Sequence, residues 1–207
     1  MRRPLTSPRK EASQDRSRAT VDALIDATAR ILVKEGFDKA STNRIAAVAG
    51  VSVGSLYQYF PGKEALVAAV IERHQQEIMQ LVRGELAEVA SQPIKQGVRT
   101  LVAAAIKSHR LDPKLHQVLA EQIPRVGKLE KVETFNRGNH ALFKAYLEQH
   151  RKEIRTADLE LAAFVCVTSI EALTHTAVLH HDVVSDKQTE ALVAEATRLV
   201  VGYLTGY

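Results

Sequence analysis

The sequence predicts an all-α protein. Three observations carry that expectation. The 207 residues include no Trp and six Pro, and Ala and Leu are frequent. Apolar side chains recur at helical spacing through most of the chain. Gly, Ser, Thr and Pro stand where those periodic stretches begin and end.

The bulk properties exclude several classes. The length suits one large domain or two modest ones. The longest unbroken apolar runs, Leu161 to Val167 and the equally long Ala65 to Ile71, are too short to cross a bilayer, so no membrane partner is expected. The N-terminus is basic but has no apolar stretch, unlike a secretory signal. Cys166 is the only cysteine, which rules out an internal disulfide and fits a reducing, cytoplasmic setting. Charge is uneven. Residues 1–63 hold eleven Lys or Arg against six Asp or Glu, and the remainder holds seventeen against eighteen. A basic first part on a near-neutral second part suggests an anionic partner for the first part alone.

Residues 1–15 carry two prolines, scattered basic side chains and no apolar period, so a disordered basic arm is expected. A helical stripe then appears at Val21, Leu24, Ile25, Thr28, Ile31 and Leu32, and Gly36 stops it. Thr42 is expected to cap the next helix, which turns Ile45 and Ala46 inward. Gly50 supplies a left-handed residue at its end, and Val51 plugs the turn. Ser52 caps a third helix, about Val53 to Tyr59. Phe60 before Pro61 closes it, because proline disfavours helical dihedrals in the residue ahead.

Two short helices joined by a glycine turn form a helix-turn-helix. The second is about two turns long and needs a scaffold to hold its shape. Leu56 and Phe60 anchor it inward. Gly54, Ser55, Gln58, Tyr57 and Tyr59 are expected to face out. A helix entering the major groove needs little charge on its tip, because base edges are read by hydroxyls, amides and methyl contacts. Ser55 and Gln58 suit base reading, Val53 suits a thymine methyl, and Gly54 permits close approach. Tyr57 and Tyr59 offer hydroxyls to phosphates. Thr42, Asn43, Arg44 and Lys63 flank the reader, three of them (Thr42, Asn43 and Lys63) at helix starts that favour anions. Ser52 is more simply a cap, and the tyrosine rings also suit ordinary packing.

The run from Thr42 to Leu66, TNRIAAVAGVSVGSLYQYFPGKEAL, resembles the DNA-binding motif of TetR-family transcriptional regulators. The similarity extends back through the helix from Arg18 to Gly36 and covers roughly the first third of the chain. Turn, cap, aromatic and lysine positions match in register. Gly62 departs from the Asn, Ser or Asp often found before the lysine. The resemblance implies an all-α homodimer, usually a repressor that leaves operator DNA when a small molecule binds. It also implies DNA contact at Thr42, Ser52, Gly54, Ser55, Tyr57, Tyr59 and Lys63. Residues 16–62 would then be the DNA-binding domain, and residues 63–207 a domain for ligand binding and dimerisation.

The period continues from Lys63 through Leu66, Val70, Ile71, Ile78, Leu81, Leu86 and Val89. That is one helix of roughly 40 Å at about 1.5 Å per residue. Further helices are expected at Ile94–His109, from Pro113 to Pro124, from Val126 to Arg151, from Thr156 as cap to His180, and after Ser185. Leu161 to Ile170 is apolar on almost all sides and must be covered all round. Pairing of the last two helices with their twins would cover it, with Val165 and Ile170 at the interface. Apolar and polar residues suited to a small-molecule pocket are Ile106, His109, Leu119, Gln122, Ile123, Phe143, Tyr146, Phe164 and Thr168.

Scattered histidines, no Gly-rich phosphate loop and no nucleophile elbow argue against an enzyme, a metal site or a cofactor. Two other readings remain compatible with the sequence. One is an activator of the same fold. The other is a helical small-molecule-binding protein with an idle DNA reader.

Overall fold

The computed structural model describes residues 15–126, 130–180 and 185–206. The expected basic arm therefore lies outside the described residues, apart from Asp15. Every regular element among the described residues is a helix. They are α1 (Asp15–Glu35), α2 (Thr42–Ala49), α3 (Val53–Tyr59), α4 (Lys63–Val89), α5 (Ile94–His109), α6 (Pro113–Val126), α7 (Glu130–Gln149), α8 (Leu159–His180) and α9 (Asp186–Thr205). A 3-10 turn at Arg151–Glu153 follows α7.

The chain forms two compact units. The first holds residues through Gln75 together with Lys114–Glu133, and the second holds Gln76–Pro113 and Thr134–Tyr207. This division does not follow the expected 62/63 boundary. The first half of α4 places Ala65, Leu66, Val67, Val70 and Ile71 in the core of the first unit, beside Leu24, Ile31, Ile45 and Leu56. Burying that apolar stripe ties the half-helix to α1–α3.

In the second unit α5 packs against both α8 and α9, and α8 against α9. Its core joins Val98, Val102, Ile106, Phe143, Leu147, Ala162, Cys166, Ile170 and Val200. Burial pushes the Cys166 thiol up to about 12, so it stays protonated and acts as a small apolar side chain.

Several helix ends differ from the expected ones. α6 continues two residues past Pro124, where a proline removes one internal hydrogen bond without unwinding what precedes it. α7 ends at Gln149. α8 starts at Leu159, with the Asp158 carboxylate accepting from the Leu161 amide at 3.0 Å. The Thr156 hydroxyl instead donates to the Tyr203 carbonyl at 3.2 Å. α9 starts as expected on Ser185, in a reciprocal capping box with Gln188.

α8 is not covered all round. Leu161, Phe164 and Leu173 are exposed, as are Leu199 and Tyr203 on α9, whereas Ile170 is buried in the core. Ile170 therefore cannot serve as a surface contact, and the outward stripe runs through Leu161 and Phe164. Leu159–Val178 is long and apolar enough to cross a membrane by length and composition, which the run-length reading did not register. In the second unit it is one wall of a helical core.

Candidate nucleic-acid interface

Local chemistry builds the α2–α3 element. The Ser41 side chain caps α2 by accepting from the Arg44 amide at 3.2 Å. The cap is thus one residue earlier than expected, and Thr42 is the first helical residue. Its hydroxyl is freed to meet the Tyr57 hydroxyl at 3.2 Å. Gly50 ends α2 at φ +69°, where a side chain would be strained. The Val51 amide donates back to the Ala46 carbonyl at 3.0 Å.

Ser52 caps α3 as expected. Its Oγ accepts from the Ser55 amide at 3.0 Å and lies 2.9 Å from the Ser55 hydroxyl. Both hydroxyls are committed to that pairing in the free protein. Phe60 closes the helix in extended geometry.

Two residues apart on a helix means about 200° of rotation, so the two tyrosines cannot share a face. Tyr57 is 41% exposed and Tyr59 only 8%. Tyr59 joins Leu56 and Phe60 in the core of the first unit. The expectation that Tyr59 faces outward is therefore corrected: its ring is part of the scaffold. Gly54 and Gln58 are exposed, while Val53 and Ser55 are half-buried. A Cβ on Gly54 would meet nothing closer than the Ser52 hydroxyl at 3.8 Å. Internal packing does not require glycine there.

The flanking cations are held in place. Arg44 pairs with Glu35 at 2.9 Å across a surface, and Asn43 is exposed beside it. The Lys63 ammonium sits 4.2 Å from the centre of the Phe37 ring and 3.4 Å from the Phe37 carbonyl oxygen. Phe37, Glu35 and Ser41 thus position the flank. None of the three carried a distinguishing signal in the sequence, because each partner is set by folding.

The expected pocket residues do not form one cluster. Ile106, His109, Phe143 and Tyr146 are buried in the second unit, and Phe143 and Tyr146 bring their rings to 5.9 Å. The Tyr146 hydroxyl has no hydrogen-bond partner among the described residues, and burial pushes its pKa up to about 12. Phe164 is exposed beside the His140 ring at 5.5 Å, and Thr168 is exposed too. Leu119 packs into the core of the first unit. The side chains of Gln122 and Ile123 lie outside the described residues.

Comparison with known proteins matches this architecture. Residues 24–70 fit the model of bacterial regulatory proteins of the tetR family. Residues 93–204 fit the tetracyclin repressor-like C-terminal domain, more than half of the chain. The chain belongs to the TetR family. The TetR-family fold recurs in the fatty acid degradation regulator FadR of Bacillus halodurans, at 20% identity and TM-score 0.71, covering 88% of this chain and 95% of that one. It recurs in FadR of Bacillus subtilis in complex with stearoyl-CoA, at 19% identity and TM-score 0.68, covering 88% and 98%. In sequence the chain is 27% identical over 119 residues to the nucleoid occlusion factor SlmA of Haemophilus ducreyi, covering 58% of this chain and 56% of that protein. It spans about half the length of the curated relatives it matches.

Proposed function

We propose that this TetR-family chain is a ligand-responsive, DNA-binding transcriptional repressor that acts as a homodimer and leaves its operator when a small molecule binds. The observation that carries the reading is the face of α3. Gly54, Tyr57 and Gln58 point outward from a short helix whose opposite side is fixed by Leu56, Tyr59 and Phe60. A rigid, uncharged tip with cations at its flanks suits groove insertion between phosphates. The Thr42–Tyr57 hydrogen bond sets the tyrosine hydroxyl where α2 starts, and both groups can turn to a phosphate oxygen.

In this reading Gly54 allows the DNA backbone or base edges to approach α3 closely. Gln58 reads a base edge, and Val53 and Ser55 reach bases at the half-buried margin. Ser52 keeps its capping role, and Asn43, Arg44 and Lys63 hold phosphates. Each cation would exchange a weak surface partner for a phosphate. Tyr59 supports the tip rather than touching DNA.

The exposed stripe of Leu161, Phe164, Leu199 and Tyr203 supports pairing of α8 and α9 with a second copy. Two α3 helices about 34 Å apart would then meet successive turns of one DNA face. α4 contributes residues to both compact units, which makes it the element through which an effector bound in the second unit would act on the reader. Ile106, His109, Phe143 and Tyr146 supply apolar walls and polar atoms for that effector.

Selection of bound sites from random duplex DNA tests the core of this reading. The expected result is a two-fold symmetric consensus whose binding weakens steeply with salt, with a slope lowered by about 0.9 in Lys63→Ala. A pool with no enriched sequence would show that α3 does not read DNA.

A further inference from the structure

A cleft of about 360 Å³ opens in the second unit between α4, α5 and α9. Its apolar lining comes from Ala103, Ala104 and Val193, and its charges from Glu85, Arg99, Lys107 and Glu190. The site differs from the buried residues expected to bind an effector. Ile106 and His109 are buried on α5, while Ala103 and Lys107 are exposed on it.

The four charges fall into two kinds. Arg99 and Glu190 form an ion pair with each other across α5 and α9. The Arg110 guanidinium, one turn beyond Lys107, reaches the Thr189 hydroxyl at 3.4 Å. These contacts fix the cleft wall. Among the described residues, the Lys107 ammonium and the Glu85 carboxylate have no hydrogen-bonding or ionic partner, and no ion pair joins them. Lys107 follows Arg99 by eight residues, so it lies about 12 Å further along the same side of α5. The cleft therefore offers, among the described residues, one uncommitted cation and one uncommitted anion, not paired with each other, beside an apolar lining.

We propose that this cleft binds a small zwitterion: a molecule with an ammonium group at one end, a carboxylate at the other and a short apolar body between them. The carboxylate pairs with Lys107, the ammonium with Glu85, and the body lies on Ala103, Ala104 and Val193. A ligand of one charge alone satisfies one group and leaves the other without a partner. The volume sits near the lower end of the range for small-molecule sites, which suits an amino-acid-sized ligand.

Calorimetry and amide NMR on the full chain test this with ε-aminocaproate, using caproate and hexylammonium as single-charge controls. The expected result is saturable binding of ε-aminocaproate with shifts in α5 and α9. Each control should bind about tenfold or more weakly, as expected for loss of one charged hydrogen bond. Glu85→Gln should erase the advantage over caproate, and Lys107→Gln the advantage over hexylammonium. Ala103→Trp, which fills the cleft from an exposed position, should abolish binding while leaving DNA binding intact. Equal affinity for all three probes, binding undiminished in Ala103→Trp, or no saturable shift in α5 and α9 would each overturn the proposal.

Discussion

α2 and α3 of the first unit begin in a different way from α5 of the second. In the first, α2 and α3 start on serine hydroxyls three residues from the amides they accept, Ser41 for Arg44 and Ser52 for Ser55. In the second, α5 has no side-chain cap from its own start. The Ile94 amide donates instead to the Glu153 carboxylate at 3.1 Å, 59 residues on. The exposed faces differ too. α3 shows a glycine, a glutamine and a tyrosine, whereas α8 shows Leu161, Phe164 and Leu173. Local capping suits an element that must hold its shape at a wet, polar partner. A greasy exposed stripe suits an element completed by other protein.

The largest effect should come from attacking the stripe. Phe164→Glu combined with Leu199→Glu places two charges where both side chains are about half exposed. A chain that pairs through this face should sediment as a monomer, retain its helicity, and bind operator DNA about a hundredfold or more weakly because two half-sites are no longer engaged together. An intact dimer in sedimentation would mean that the stripe serves another purpose.

The paired tyrosines sharpen the contrast within the reader. Tyr59→Ala removes a core ring and should lower stability by about 3 kcal/mol in a denaturant titration. Tyr57→Phe removes only an exposed hydroxyl and should change stability by about 0.5 kcal/mol or less. It should still weaken operator binding about fivefold in a gel-shift titration. The reverse ranking would return Tyr59 to the interface.

The same contrast explains what was legible in the sequence. Gly36, Gly50, Ser52, Phe60 and Pro61 act on backbone atoms within a few residues, so their effects read directly from the chain. Thr42 and Ser41 are adjacent hydroxyls, and nothing in the sequence decides which one caps. Tyr57 and Tyr59 were both expected to face outward because they share a chemistry, although helical geometry places them on opposite sides. At the start of α5 the decisive partner is distant. Nothing near Ile94 announces Glu153, and the all-round apolarity of α8 could not show which side chains stay uncovered. The pocket was least legible: apolar residues with a few polar groups among them also describe an ordinary core, and folding assigns Leu119 to a different core.

Two glycines extend the comparison at smaller scale. A Cβ on Gly97 would clash with the Tyr146 hydroxyl oxygen. Gly97→Ala should therefore force the phenol to shift and destabilise by about 1–3 kcal/mol. Gly54→Ala meets only the Ser52 hydroxyl, at an ordinary contact distance, and should raise stability by up to about 1 kcal/mol, since alanine is the better helix former. It should nonetheless weaken operator binding, because the added methyl stands where DNA must approach. Unchanged DNA affinity would remove Gly54 from the interface.

The smallest effect separates the two capping schemes by pH. The hydrogen bond from the His150 imidazole (Nδ1 to Oε1, 3.0 Å) and the Ile94 amide hold the Glu153 carboxyl below its ordinary pKa. A lowered folded-state pKa means that the ionised form stabilises the fold. That contribution is complete above the ordinary carboxylate range and is lost as pH falls through the lowered value. Glu153→Gln should therefore melt earlier than the parent protein at neutral pH, and the gap should close in acid. Ser52→Ala removes an uncharged cap, so its deficit of about 1 kcal/mol should persist across the same range. A Glu153→Gln deficit that stays constant into acid would show that the carboxylate's charge does not hold the start of α5.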